Sequence, residues 1–225
     1  MSTNVRTTQT RGVQIQAGTA LIDGDLAIPE RASGLVVFAH GSGSSRFSRR
    51  NRAVAQTLEE SGFSTLLLDL LTREEEAIDV RTREYRFDID RLAHRVVAAI
   101  DWAAGDSFLG DLPIAVFGAS TGAAAALIAA AERPEAVRAV ISRGGRPDLA
   151  GDALPRVQAP TLLIVGGADE VVIQLNQAAM RHMRAHVELE LVPGATHLFE
   201  EPGALEQVSR LAADWCQRYL SRGQS

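Results

Sequence analysis

The stretch from Pro113 to Ala131 constrains the fold more than any other part of the chain. Ile114 to Phe117 is a short apolar, partly β-branched run of the buried-strand type. Gly118-Ala119-Ser120-Thr121-Gly122 follows as a G-x-S-x-G match, and an alanine-rich segment to Ala131 that reads only as helix comes next. Strand, sharp turn and helix therefore stand in the order that lifts a serine Oγ clear of a sheet. Glycines flank the serine because side chains there would strike neighbouring backbone.

The rest of the chain supplies such a sheet. Val13 to Ala17 and Ala20 to Ile28 read as two strands joined at Gly18-Thr19, and Gly34 to Ala39 is a continuous apolar run of the kind covered on both faces. Helical spacing over Asn51 to Glu60 closes at Ser61-Gly62, and Phe63 to Asp69 is the next strand. Thr72 to Phe87 is polar without a clear period and reads as a surface excursion, after which Asp88 to Ala104 forms a long amphipathic helix. Beyond the serine turn, strands are expected at Val137 to Ile141, Thr161 to Val165 and Val187 to Val192, with helices over Val172 to Met183 and Ala204 to Leu220. Strands alternating with helices after an initial hairpin predict one α/β domain over residues 1–225, with residues 1–12 flexible. Its mostly parallel sheet of about eight strands carries helices on both faces. Only Ser142 to Pro160 separates two consecutive strands where a cap domain could be inserted, too short for a large one. In such a sheet the ligand lies beyond the carboxyl ends of the strands, where the loops at Ser42, Asp69, Ser120, Arg143, Asp169 and His197 all begin.

Composition excludes several chemistries. All 23 basic residues are arginine, which removes a P-loop lysine, a Schiff-base lysine and a Ser-Lys dyad. A net charge of −5 gives no long-range attraction to nucleic acid or anionic lipid, so the expected partner is a small molecule, with a homodimer left open. The single cysteine, Cys216, reads as a packing thiol in an amphipathic segment. The first ten residues lack the apolar region of a signal peptide and no stretch approaches the ~18 apolar residues of a membrane span, so a cytoplasmic location is expected.

A serine needs a base to take its proton, and the base needs a third group to hold its tautomer. Among five histidines, His94 reads as a mid-helix surface residue, and His182 with His186 has metal-like spacing without a third ligand, so no metal is expected. His40, at a strand end beside Gly41, shapes a loop or touches substrate. His197, on the loop between the last strand and the last helix, is the expected base. Asp169, after Gly166-Gly167 at a strand end, is the expected acid, with Glu170 in reserve and Asp69 weaker. The oxyanion donors are expected from the backbone N–H groups of Thr121 and of Ser42 in the loop His40-Gly41-Ser42-Gly43. Arg46, Arg143 and Arg146 emerge on the same side and are candidates for binding a carboxylate on the substrate, against the alternative that they brace loops through local aspartates.

The order Ser120, Asp169, His197 and the H-G-S-G loop resemble the α/β-hydrolase superfamily over essentially the whole chain. Within it, the stretches H-G-S-G-S-S-R-F-S-R-R-N and S-R-G-G-R-P are similar to dienelactone-hydrolase-like proteins, including hydrolase domains fused to phosphoribosyltransferase domains. The resemblance implies the fold, a hydrolytic triad and no cofactor. Where the dienelactone hydrolases proper carry a cysteine in the turn, this chain carries Ser120. The expected activity is hydrolysis of small carboxylic esters, lactones included, through an acyl-enzyme. Acyl transfer or perhydrolysis by the same triad is one alternative, and a non-catalytic phosphate-binding module, suggested by the Gly/Ser loop before Arg46, is another.

Overall fold

The computed structural model describes residues 8–221. One eight-stranded sheet runs through them in the order β1 (Thr8–Ala17), β2 (Ala20–Pro29), β4 (Ser64–Leu68), β3 (Leu35–Ala39), β5 (Ile114–Ala119), β6 (Val137–Arg143), β7 (Thr161–Gly166) and β8 (Val187–Val192). β1 and β2 pair antiparallel, as do β2 and β4, and every other pairing is parallel. This is the α/β-hydrolase arrangement. Helices α1 (Arg49–Glu60) and α6 (Ala204–Leu220) cover one face, while α3 (Ile89–Gly105), α4 (Thr121–Glu132) and α5 (Glu170–Met180) cover the other.

Pleating divides the core between the two faces. In β3, Leu35, Val37 and Ala39 enter the cluster under α3 and α4, whereas Val36 and Phe38 enter the cluster under α1 and α6, where Phe38 packs on Phe117. Both faces are buried, which is why β3, β5 and β7 are apolar without alternation. Every residue of α4 from Thr121 to Ala131 is buried, and its alanines let it lie close against the strands. No helix among the described residues is long and apolar enough to cross a membrane.

Two differences from the sequence expectations have identifiable causes. Residues 8–12 of the segment expected to be flexible are strand, because β1 pairs with β2 along its whole length from Thr8↔Pro29; residues 1–7 lie outside the described residues. The polar stretch after Thr72 contains a helix, α2 (Arg73–Thr82), opened by a capping box in which the Glu75 N–H donates to Thr72 Oγ1 and the Thr72 N–H to Glu75 Oε2. Its buried side is ionic, so no apolar period announces it: buried Asp79 accepts from the N–H groups of Tyr85 and Arg86 and from Arg86 Nε, and Glu75 Oε1 accepts from Arg91 and Arg95. A 3-10 segment, Pro147–Arg156, fills the connection between β6 and β7 without forming a cap domain.

β4 lies between β2 and β3, so the chain leaves β3 toward one side of the sheet and later enters β5 on the other. β3 and β5 are thus neighbours whose outgoing loops diverge, which opens a crevice at their carboxyl ends.

Candidate active site

The turn from β5 to α4 is held in a conformation that an L-residue rarely adopts: Ser120 has φ 52° and ψ −123°. Neighbouring backbone fixes it. The Ser120 N–H donates to the Arg143 carbonyl at 3.2 Å, and the Ser120 carbonyl accepts from the Ala123 and Arg146 N–H groups, both at 3.1 Å. The flanking glycines are steric requirements. A Cβ on Gly118 would stand 2.4 Å from Ala123 Cα, and one on Gly122 would stand 2.3 Å from the Ala39 carbonyl oxygen. Opposite the turn, Gly41 backs the serine, its missing Cβ 3.0 Å from Ser120 Cβ.

Asp169 and His197 come from loops after β7 and β8 that are tied together by backbone: the Gly167 N–H donates to the Val192 carbonyl and the Ala168 N–H to the Ala195 carbonyl. Asp169 occupies the N-cap position of α5 but makes no side-chain cap bond; its Oδ2 lies 2.8 Å from His197 Nδ1 instead. The carboxylate side chain is 15% exposed and the imidazole 40%, so the pair has one protected member and one open to a ligand. Glu170, the reserve acid, starts α5 and is exposed. The loop after β6 borders the imidazole through Gly144, whose φ is 52° and whose missing Cβ would lie 3.6 Å from His197 Cε1.

The loop after β3 departs from expectation in two ways. His40 is buried at 6% exposure and faces the protein: its Nε2 accepts from the Leu70 N–H at 3.0 Å, which leaves the proton on Nδ1 to donate to the Gly41 carbonyl at 2.9 Å. Both ring nitrogens are thus engaged by backbone, and the ring shapes the loop. The Ser42 N–H, expected as an open oxyanion donor, points at Thr121 Oγ1 at 2.9 Å. Because Ser42 Oγ donates to the Arg86 carbonyl, the Thr121 hydroxyl must donate back to Ser42 Oγ, closing a small network over the start of α4. The Thr121 N–H itself, at the first position of α4, has no intrahelical acceptor.

Burial holds His40 below the ordinary imidazole range, against smaller opposing contributions from the Gly41 carbonyl and Asp69. The folded state therefore favours the neutral ring. Stability should be full above about pH 6.5 and fall, by roughly 1.4 kcal/mol per pH unit at most, as the pH drops below it. Urea midpoints between pH 7.5 and pH 5 should show this fall in wild type and a shallower one in His40→Gln; parallel curves would contradict it.

The three arginines separate. Arg46 is consumed by acids: its guanidinium pairs with Asp69 and stands 3.3 Å from Asp25 and 3.8 Å from Asp23, and Asp69 also takes the Arg46 N–H at 2.7 Å. This also removes Asp69 as a candidate acid. Arg146 is held by Asp148 through two bonds of 2.9 and 2.7 Å. Each of the two lies within reach of a carboxylate that balances its charge. Arg143 is buried at 7% exposure and has no carboxylate in ion-pair range among the described residues. Its Nη2 donates to Asn51 Oδ1 at 3.2 Å, its Nε is buried without a partner, and its guanidinium carbon lies 5.9 Å from the centre of the Phe199 ring. Burial first, and the charge of Arg50 second, bring its pKa down to about 10.

Sequence reasoning missed Arg50, Asn51 and Gly144, which border this region. α1 was expected only from Asn51 and read for its apolar face, whereas it begins at Arg49 and takes in Arg50. Of the other histidines, His94 and His182 are exposed, and His186 bonds Glu188 at 2.9 Å and stacks on Trp215.

A profile of the dienelactone hydrolase family matches residues 22–221. A dienelactone hydrolase from Anabaena variabilis, known from a crystal structure, is 55% identical and superposes with a TM-score of 0.93 over 95% of this chain and 99% of that one. Est1E from Butyrivibrio proteoclasticus, solved with ferulic acid bound, shares the fold at 19% identity, with a TM-score of 0.79 over 93% of this chain and 100% of its own. In two strains of Mycobacterium tuberculosis, a protein provisionally named a phosphoribosyl transferase is 58% identical over 203 residues. Those residues are 90% of this chain and 45% of the relative, so the chain spans about half the length of the curated relatives it matches.

Proposed function

From the premise that the chain belongs to the dienelactone hydrolase family, and is a hydrolase by that membership, we propose that it is a serine hydrolase that cleaves small carboxylic esters or lactones through an acyl-enzyme. The observation that carries the proposal is the 2.8 Å pairing of Asp169 with His197 on loops that end at the same edge of the sheet as the strained Ser120.

Ser120 Oγ attacks the acyl carbonyl while His197 Nε2 takes its proton. Asp169 keeps the Nδ1 proton in place and stabilises the imidazolium as it forms. The oxyanion is received by the Thr121 N–H, aided by the positive end of α4, and by the Ser42 N–H once it exchanges Thr121 Oγ1 for the substrate oxygen. Collapse expels the alcohol, which leaves with the proton from His197. Water then repeats the attack, releasing the acid and restoring Ser120. An α4 buried from Thr121 to Ala131 and a closed backbone network around Ser120 hold the nucleophile still, which favours attack in one geometry. The mycobacterial relatives extend well beyond the matched region, so the activity in their name is not carried over to this chain.

A fluorophosphonate probe should label Ser120, identified by peptide mass, in a protein that also turns over p-nitrophenyl esters. The acid is tested by comparison: Asp169→Asn should lower kcat by roughly 10³- to 10⁴-fold, because an amide presents its N–H to Nδ1 and favours the wrong tautomer. Glu170→Gln, on the exposed side of the turn, should stay within a few fold. The reverse ranking would move the acid to Glu170.

A further inference from the structure

Ser42 is held by two hydrogen bonds of different fate. Its N–H donates to Thr121 Oγ1 at 2.9 Å, and that bond must break before the N–H can receive an oxyanion. Its Oγ donates to the Arg86 carbonyl at 2.9 Å, and that bond can persist through the reaction. When charge develops on the substrate, the direction of the Ser42 N–H therefore rests on where the Arg86 carbonyl stands. Arg86 lies 44 residues further along the chain, in the stretch between α2 and α3 that reads from sequence as a surface excursion.

That stretch is wound around one buried carboxylate. α2 ends at Thr82, Arg83 turns the chain back with φ 59°, and its N–H donates to the Asp79 carbonyl at 2.8 Å. The fully buried Asp79 side chain then gathers the returning segment. Its Oδ1 accepts from the Tyr85 N–H at 2.8 Å and the Arg86 N–H at 2.9 Å, and its Oδ2 accepts from Arg86 Nε at 2.6 Å. Arg86 Nη2 adds a bond to the Asp79 carbonyl at 3.1 Å. Backbone and guanidinium of Arg86 are thus both fixed to a single residue by charge-assisted bonds, which holds its carbonyl in place. The guanidinium also meets the oxyanion loop directly. A Cβ on Gly43, whose φ is 68°, would stand 3.1 Å from Arg86 Nη1.

We propose that Asp79 is a positioning residue for the oxyanion hole, acting through Arg86 and the Ser42 hydroxyl to keep the Ser42 N–H aimed at the reacting carbonyl once it has left Thr121 Oγ1. The proposal deepens the hydrolase reading and rests on it. A donor held in this way needs no reorientation as charge develops, which is the condition for strong oxyanion stabilisation. The Thr121 N–H is fixed separately by α4, so one of the two donors stays in place when Asp79 is changed. α2 thereby serves the reaction as a bracket behind the oxyanion loop.

In Asp79→Asn one carboxylate oxygen becomes an amide nitrogen that faces a donor, so the bracket loosens while the volume is kept. On a p-nitrophenyl ester kcat should fall by roughly tenfold to a hundredfold, less than for outright loss of an oxyanion donor, with KM within about threefold of wild type. Affinity for an aryl trifluoromethyl ketone, whose adduct with Ser120 carries a tetrahedral oxyanion, should fall by a similar factor. Ser42→Ala removes the hydroxyl, keeps the N–H and should reproduce both losses. The double variant should be no slower than the slower single, because the two changes cut the same chain of bonds. Should Asp79→Asn not fold, Arg86→Lys takes its place in every comparison, since lysine keeps the charge but not the planar fork that meets Asp79. Losses that multiply in the double variant, a change confined to KM, or a kcat in Ser42→Ala within about twofold of wild type overturn the bracket and leave the hydrolase intact. If wild type shows neither ester turnover nor fluorophosphonate labelling, the hydrolase reading fails instead. Amide hydrogen exchange then decides the bracket alone. The Ser42 N–H should exchange at least about tenfold faster in Asp79→Asn and in Ser42→Ala than in wild type while the α4 amides keep their protection, and unchanged Ser42 exchange overturns the proposal.

Discussion

Ser120→Ala should fold normally and lose ester turnover by at least ~10³-fold, because only binding and the oxyanion donors remain to lower the barrier. Alanine keeps the Cβ that the strained φ of 52° already accommodates and leaves the backbone bonds to Arg143, Ala123 and Arg146 in place, so the thermal midpoint should stay near that of wild type. His197→Ala should match the loss, and the double variant should be no slower than the slower single, since nucleophile and base act as one unit. Steady-state rates of the three variants on one p-nitrophenyl ester provide the check. Retention of more than about a tenth of the activity in Ser120→Ala would remove the serine from the reaction. Multiplying losses in the double variant would mean that the two residues serve separate steps.

Gly122→Ala should be the most destabilising single-methyl change near the site. The added Cβ would stand 2.3 Å from the Ala39 carbonyl oxygen and 2.4 Å from that of His40, both backbone atoms in a central strand and its outgoing loop. Neither can swing aside as a side-chain tip could, so α4 would have to move away from β3 and open the alanine-packed layer beneath it. A cost of about 3 kcal/mol or more is expected, at the upper end for overpacking in a core. The denaturant midpoint should drop accordingly, with insoluble protein the alternative form of the same result. Gly12→Ala, on β1 with nothing within 4 Å of its missing Cβ, is the matched control and should change stability by less than about 1 kcal/mol. Equal midpoints for the two variants would show that the turn tolerates a wider separation of α4 from the sheet.

Much of this was legible in the chain. Continuous apolar runs such as Leu35–Ala39 and Thr161–Gly166 have only one use in a protein of this size, a strand covered on both faces, and the alternation of such runs with helical periods dictates a parallel sheet. The elbow was readable because its demands are local: a serine at positive φ between two glycines is a property of five consecutive residues. The candidacy of Asp169 and His197 followed from connectivity, since both lie just past the ends of strands that run parallel to the one carrying Ser120. What local pattern could not carry was any property set by partners far apart in the chain. α2 was invisible because its inward side is ionic, Asp79 meeting Arg86 and Glu75 meeting Arg91 and Arg95 from a different helix, and therefore carries charge where a periodicity search expects hydrocarbon. The Ser42 donor could be placed on its loop, but only the fold brought Thr121 Oγ1 across 79 positions to engage it. The same holds for the arginines. Arg46, Arg143 and Arg146 are equivalent on the page as cations following strands, and their fates differ because Asp69 and Asp148 lie within reach of two of them, while α1 offers the third only a neutral asparagine. Sequence set the elements and their order, since backbone propensity and burial on a regular lattice act over a few residues. Tertiary structure alone decided which charges are cancelled, because pairing depends on separations of a few ångströms between groups that the chain keeps far apart.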